Sequence, residues 1–287
     1  MLDEWFRDTP IETYDCQGQP IFVKREDLCT RPPMPPLAKM RGIAPYLSKL
    51  RDRGIKRVGV LDTRVSKSGL GIAVLGRELG LAVHYYFPAR RGEDYLTPTR
   101  QQAAECGAIL EPMTAGRIGI VYARAQRQEC LGGGFMLPLG FPLYETVLAT
   151  ASIARAVAAS GYPDSGTLIV AVGTGTILSG LMIGYAEMGR LPVKLCGITA
   201  SMDPHKVLKK LHAHHARFLD QHPEIRPVLE RLYERTILVK QGQDYYIPAS
   251  VTVPFPAHPW YEGKAWAWLE ENIADLTPPI LVWNVGS

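Results

Sequence analysis

At 287 residues, 46% hydrophobic and 21% charged, the chain is long enough for one large domain or two modest ones with proper cores. Five scattered cysteines, Cys16, Cys29, Cys106, Cys130 and Cys196, never form a Cys-x-x-Cys pair, which argues for a reducing compartment and against a cysteine-bound metal. A net charge of +4, with no basic run interleaved with aromatics, does not by itself predict nucleic-acid binding and suits small anionic ligands equally well.

The opening MLDEWFRDTPIETYDCQ carries acids and no apolar run, so it does not read as a secretory or transit signal, and no apolar window is long enough for a bilayer span. A cytoplasmic protein with no membrane partner is expected. A first strand falls near Ile21–Lys24. The proline-rich Thr30–Pro36 reads as a stiff extended connector, followed by a helix near Leu37–Arg53. Next come strand Arg57–Leu61, helix Gly69–Leu79, strand Val83–Phe87, helix Pro98–Cys106 and strand Ala108–Glu111. The irregular stretch Gly132–Pro142, GGGFMLPLGFP, would let the chain cross between sub-domains. Beyond it lie helix Tyr144–Ala159, strand Thr167–Val172, helix Ile177–Met188, strand Lys194–Ile198, helix Pro223–Glu234, strand Ile237–Val239, helix Glu262–Asn272 and strand Ile280–Trp283. This alternation predicts an α/β fold of parallel sheets flanked by helices. A smaller αβ domain, residues 37–140, is expected to interrupt a larger one built from 1–36 and 141–287.

Val170–Gly180, VAVGTGTILSG, runs a buried strand into a glycine-rich turn that opens a helix. Such a turn aims backbone N–H groups at an anion, and the hydroxyls of Thr174 and Thr176 can add to them. Gly173, Thr174, Gly175, Thr176 and Ile177 are therefore candidate phosphate-binding residues. Alone, the motif reads equally well as a plain strand-to-helix turn.

It does not stand alone. Val23-Lys24-Arg25-Glu26-Asp27-Leu28 and then Lys39-Met40-Arg41 resemble the opening of the tryptophan-synthase-β-like, fold type II enzymes that use pyridoxal 5′-phosphate (PLP). In that family the matching lysine forms the Schiff base, so Lys39 is the expected cofactor lysine. Arg64-Val65-Ser66-Lys67-Ser68 is similar to the family turn that receives the substrate carboxylate. Ser66 matches its serine, and Lys67 replaces the asparagine that holds the cofactor's ring hydroxyl. Tyr245-Tyr246-Ile247-Pro248 resembles a G-Y-G-I-P segment, with Tyr245 at the family tyrosine. Tyr261-Glu262-Gly263-Lys264-Ala265 resembles the V-Y-E-G-K of 1-aminocyclopropane-1-carboxylate deaminases and D-cysteine desulfhydrases, the branch most similar overall. Val282–Ser287 resembles the closing strand and turn. The resemblance implies a cofactor between two αβ domains, and relatives are commonly homodimers.

The chemistry suits these residue types. A lysine attacks an aldehyde only as the free amine, which apolar neighbours (Leu37, Ala38, Met40) and a nearby cation (Arg41) favour. A carboxylate at Glu262 facing the pyridine nitrogen would stabilise the protonated ring; Val285 stands where elimination enzymes of the family offer a hydroxyl. Glu262 is otherwise an acid at a helix N-terminus, suited to the macrodipole. Tyr245 and Tyr261 are candidates for proton transfer or attack, or for aromatic packing. Ser66 could shuttle a proton or bind a carboxylate, and Lys67 could pair with the cofactor phenolate or an anionic substrate. His212, His214 and His215 read as a solvated helix rather than a metal site, and Cys29 as packing.

The expected function is therefore cleavage of a Cα bond of a small amine or amino-acid substrate by a deaminase or lyase. An alternative is a phage-type enzyme that decarboxylates an amino acid attached to a larger molecule, such as modified thymidine in DNA. Nucleic acid is a partner only under that alternative. A non-catalytic PLP-binding relative is the third reading.

Overall fold

A computed structural model describes every residue except 1–2, 91, 93–95, 164, 201 and 242–245. In chain order the elements are β1 (Ile11–Cys16), β2 (Gln19–Arg25), α1 (Met40–Asp52), β3 (Arg57–Leu61), α2 (Ser68–Leu79), β4 (Ala82–Ala89), α3 (Pro98–Glu105), β5 (Ile109–Thr114), α4 (Ile118–Leu131) and β6 (Phe135–Met136). They continue with α5 (Tyr144–Ala159), β7 (Thr167–Val172), α6 (Thr176–Glu187), β8 (Lys194–Thr199), α7 (Pro204–Leu219), α8 (Arg226–Glu234), β9 (Thr236–Lys240), α9 (Glu262–Asn272) and β10 (Ile280–Asn284). The chain divides into two compact units, Met1–Trp5 with Thr30–Pro35 and Ile43–Pro142, and Phe6–Cys29 with Pro36–Gly42 and Leu143–Ser287.

The second unit is built on a six-stranded sheet of order β1-β2-β10-β7-β8-β9. β7 reads TLIVAV and is buried along its whole length, as a central strand covered on both faces must be. One face packs Leu168, Val170 and Leu281 against Leu178, Leu181 and Tyr185 of α6 and Leu211 of α7. The other packs Val23, Ile169 and Val282 against Trp266 and Leu269 of α9. The first unit holds a four-stranded parallel sheet, β5-β4-β3-β6. Its buried Glu129, on α4, receives Arg57 at 2.8 and 3.0 Å and the hydroxyl of Tyr86 at 2.8 Å. No helix among the described residues is long and apolar enough to cross a membrane.

Several expectations are corrected. β1 was not anticipated, and it pairs with β2 antiparallel through the Gln17-Gly18 turn, whose positive φ values of 54° and 81° are those of a tight hairpin. α4 was missing from the expected helices, and α7 was expected only as a solvated helix around His212, His214 and His215. Asp203 and Pro204 did announce α7, since the Asp203 carboxylate caps the N–H of His205 at 2.9 Å and proline opens the first turn. The irregular stretch after α4 contains β6, paired with β3. Thr30–Pro35 folds back on itself rather than extending, with Met34 N–H on Arg31 C=O and the Thr30 hydroxyl on Pro35 C=O. α1 begins at Met40 rather than Leu37, because Leu37 is already bridged to Gly286 and Ala38 N–H donates to Val285 C=O at 2.9 Å.

Candidate active site

In the six-stranded unit, the ends of β2, β7 and β10 gather most of the sequence-predicted residues. The Lys24–Leu28 segment proves structural. Arg25 forms a two-pronged pair with Asp27 at 2.9 and 2.8 Å and also reaches Glu12, while buried Lys24 bonds Thr9 C=O beside Glu26. Burial lowers the Lys24 pKa, opposed by Glu26. Arg41 turns to this network, its Nε 2.9 Å from Glu26 and its other arm on Arg7 C=O. Its charge is therefore compensated by Glu26.

Lys39 is half-buried on the turn that enters α1. The turn is stapled to the closing segment by the Leu37–Gly286 bridge, by Ala38 on Val285 and by Ser287 N–H on Pro36 C=O. The same segment holds the next candidate: His258 N–H donates to Gly286 C=O, and His258 C=O receives the N–H of Tyr261 and Gly263 as α9 starts. Glu262 opens that helix. It is 4% exposed, and among the described residues neither carboxylate oxygen has a hydrogen-bond partner. Burial pushes its pKa up to about 8, although the amides of Glu262 and Val285 lie close enough to favour the charged form somewhat. Asn284 is committed elsewhere, to Pro256 C=O and Gly286 N–H.

Gly173 to Ile177 link β7 to α6. Gly175 has φ +82°, and a Cβ there would sit 3.3 Å from Val207 and 3.4 Å from Leu211 of α7. Gly173 has room: among the described residues its Cβ would meet only Tyr261, at 3.9 Å, which places the Tyr261 ring beside the loop. The Thr174 and Thr176 hydroxyls lie 2.9 Å apart, and Ile177 is buried. The free N–H groups of a helix's first turn, without a side chain at Gly173, are able to receive an anion. Gly175→Ala is expected to destabilise the fold by about 1–2 kcal/mol through its left-handed backbone, whereas Gly173→Ala should leave stability unchanged and weaken binding of a phosphate-bearing ligand. Urea unfolding and ligand titration separate the two; equal effects in both assays would show the loop to be a plain turn.

Ser66 and Lys67 lie in the four-stranded unit, on the turn between β3 and α2, and Ser68 opens α2. The Ser66 hydroxyl accepts from Ser68 N–H at 3.3 Å. Beneath the turn, sequence reasoning missed Asp62. Its buried carboxylate accepts from Gly69 N–H at 2.6 Å and from the Tyr85 hydroxyl at 3.3 Å. Burial raises its pKa to about 6, with the Ser66 hydroxyl as the leading opposing influence. Its position just past the carboxyl end of a parallel strand was the available signal. Tyr245 lies outside the described residues. Of the histidines, His215 is buried, not solvated: its ring nitrogens lie 2.7 Å from the Tyr233 hydroxyl and 3.2 Å from Ser179 C=O, and burial pushes its pKa down to about 4. No cluster of metal-ligating side chains occurs among the described residues.

No protein-family model matches the chain. It is 32% identical to the glycyl-dTMP PLP-dependent decarboxylase of Pseudomonas phage M6, over 97% of this chain and 98% of that one. An ACC deaminase homologue of known structure is similar with a TM-score of 0.75, at 17% identity, covering 98% of this chain and 89% of its own. Processed threonine deaminase isoform 2 of Solanum lycopersicum gives a TM-score of 0.66 at 14% identity, covering 99% and 84%. With a curated relative matched from end to end and solved structures sharing the fold, the chain belongs to the fold type II family of PLP-dependent enzymes.

Proposed function

We propose that this enzyme is a decarboxylase whose substrate is an amino acid joined to a thymidine nucleotide. The observation that carries the reading is the 32% end-to-end identity with the phage glycyl-dTMP decarboxylase, against 17% and 14% for the two deaminase-type structures. It favours the second of the expected functions over deamination or elimination of a free amino acid. The departures at the substrate turn, Lys67 and Ser68, agree with a substrate that is not a simple amino acid.

Two features of the six-stranded unit fit the cofactor. Glu262 offers a buried carboxyl, unpartnered among the described residues, to a ring nitrogen, and the Gly173–Ile177 turn offers N–H groups to a phosphate with no Cβ at Gly173 in the way. When bound, PLP supplies an aldehyde that condenses with amines and a ring that takes up the electron pair set free at Cα. Lys39 would hold the cofactor through its primary amine. Glu262, whose burial favours its protonated form, would share a proton with the ring nitrogen. Ser66 is assigned by resemblance to the substrate's carboxyl side, and Lys67 to the cofactor's ring hydroxyl. As the Cα–carboxyl bond breaks and CO2 leaves, a proton must take its place at Cα; the Lys39 amine and the Tyr261 phenol, beside Gly173, are groups able to carry it.

Incubation of the holoenzyme with glycyl-dTMP tests the reading. The expected products are CO2 and an amine-bearing nucleotide, seen by mass spectrometry, with no ammonia. Ammonia released from free amino acids, with no CO2 from the nucleotide, would restore the deaminase reading.

A further inference from the structure

Asp62 is a buried acid that the chemistry above does not use. It is the first residue past β3, where its N–H continues the pairing with β4 by donating to Tyr86 C=O at 3.0 Å. Three N–H groups of the turn that follows are spent inside the chain. Ser66 N–H donates to Thr63 C=O at 3.3 Å, Ser68 N–H to the Ser66 hydroxyl at 3.3 Å, and Gly69 N–H to the Asp62 carboxylate at 2.6 Å. Tyr85 of β4 holds the carboxylate from below: its hydroxyl is 3.3 Å from Asp62, and its ring lies so near Gly69 that a Cβ there would stand 2.5 Å from it. Beyond Tyr85 is the buried Arg100 of α3, 4.1 Å from the centre of the Phe87 ring. An internal carboxylate thus occupies the head of α2, where the helix dipole favours a negative charge.

We propose that Asp62 is a specificity-determining residue: its carboxylate takes the place at the head of α2 that a substrate carboxylate would claim, so that the substrate's carboxyl group is repelled rather than clamped and is the group lost. The inference rests on the proposed function for the assignment of Ser66 to the substrate's carboxyl side. Burial raises the Asp62 pKa to about 6, so at about pH 8 the group is charged. A substrate carboxylate received at Ser66 then stands one hydroxyl away from a second negative charge, and the burial of Asp62 leaves little water to screen the pair. Breaking the Cα–carboxyl bond removes the conflict: CO2 leaves uncharged, the bonding pair stays on the Cα side, and a proton restores Cα. A deaminase has the opposite need, since its substrate keeps the carboxylate throughout and is best served by a turn whose N–H groups are open to it.

The test compares the wild-type holoenzyme with its Asp62→Asn and Asp62→Ser variants at about pH 8, reading ligand binding from the cofactor's visible absorption. Glycine and methylamine differ by the carboxylate alone. Relative to methylamine, glycine should bind both variants about tenfold more tightly than it binds wild type, with cofactor loading unchanged. With glycyl-dTMP, kcat and KM should both fall about tenfold and kcat/KM stay level, as when strain in the bound substrate is removed. Tyr85→Phe deletes a hydrogen bond of the same cluster but keeps the charge, so it should bind and turn over like wild type while melting at a lower temperature. An unchanged ratio of glycine to methylamine affinity, a KM that rises in Asp62→Asn, or the same changes in Tyr85→Phe would each overturn the proposal. Failure of the proposed reaction reads differently. Tighter glycine binding by the Asp62 variants of an enzyme that releases no CO2 from glycyl-dTMP would sink the nucleotide reaction and uphold the repulsion by Asp62.

Discussion

Lys39→Ala is expected to lower turnover by about 10³-fold or more, a loss of about 4 kcal/mol of transition-state stabilisation, since no other amine need lie in reach of the aldehyde. The fold should survive. Lys39 is half-buried, and its turn is held by main-chain bonds from Pro36 and Ala38 to Ser287 and Val285, none of which uses the lysine side chain. Borohydride reduction of the wild-type holoenzyme, followed by peptide mapping, should find the cofactor on the Lys39 peptide and leave Lys39→Ala unlabelled. Label on Lys67 would transfer the role to the turn before α2, and a fully active Lys39→Ala protein would remove the amine from the reaction altogether.

Glu262→Gln should leave the cofactor bound but reduce turnover by about one to two orders of magnitude, because an amide can hydrogen-bond a ring nitrogen yet cannot share a proton with it. The free protein gives an independent signature. The folded pKa of about 8 lies above the ordinary 4.5, so the folded state holds a proton that the unfolded state has released. The stability tied to this carboxyl is thus fully present below about pH 4.5 and is lost as pH rises toward 8, at up to about 1.4 kcal/mol per pH unit. Urea midpoints of the cofactor-free wild type should fall across that window more steeply than those of Glu262→Gln. Parallel curves would mean that Glu262 is ionised in the folded protein, and unchanged turnover that the ring nitrogen is served otherwise. Asn284 is a poor substitute, since its amide is spent on Pro256 and Gly286.

The parallel α/β architecture was legible in the sequence because short, β-branched apolar runs such as TLIVAV and ILVW read as strands buried on both faces, and the stretches between them carry helical periodicity. β7, α5 and α9 were read with the bounds they have. The glycine loop and Lys39 were legible for a different reason: their chemistry depends on local sequence, a turn without side chains and an amine among apolar neighbours. β1 escaped because its alternation is half polar and its pairing depends on a partner strand rather than on itself. The burial of α7 escaped because its basic and histidine-rich surface hides a narrow buried stripe of Val207, Leu211, His215 and Phe218. Tertiary structure alone decided the electrostatics. The sequence puts Arg41 two residues from Lys39, yet the fold turns it to Glu26, fifteen residues away; Glu262 looks like an ordinary helix-capping acid until Val285 and His258 close over it. Asp62 was invisible for the same reason. Whether a charge is shielded, paired or stripped of water depends on which segments cover it, and those segments come from distant parts of the chain.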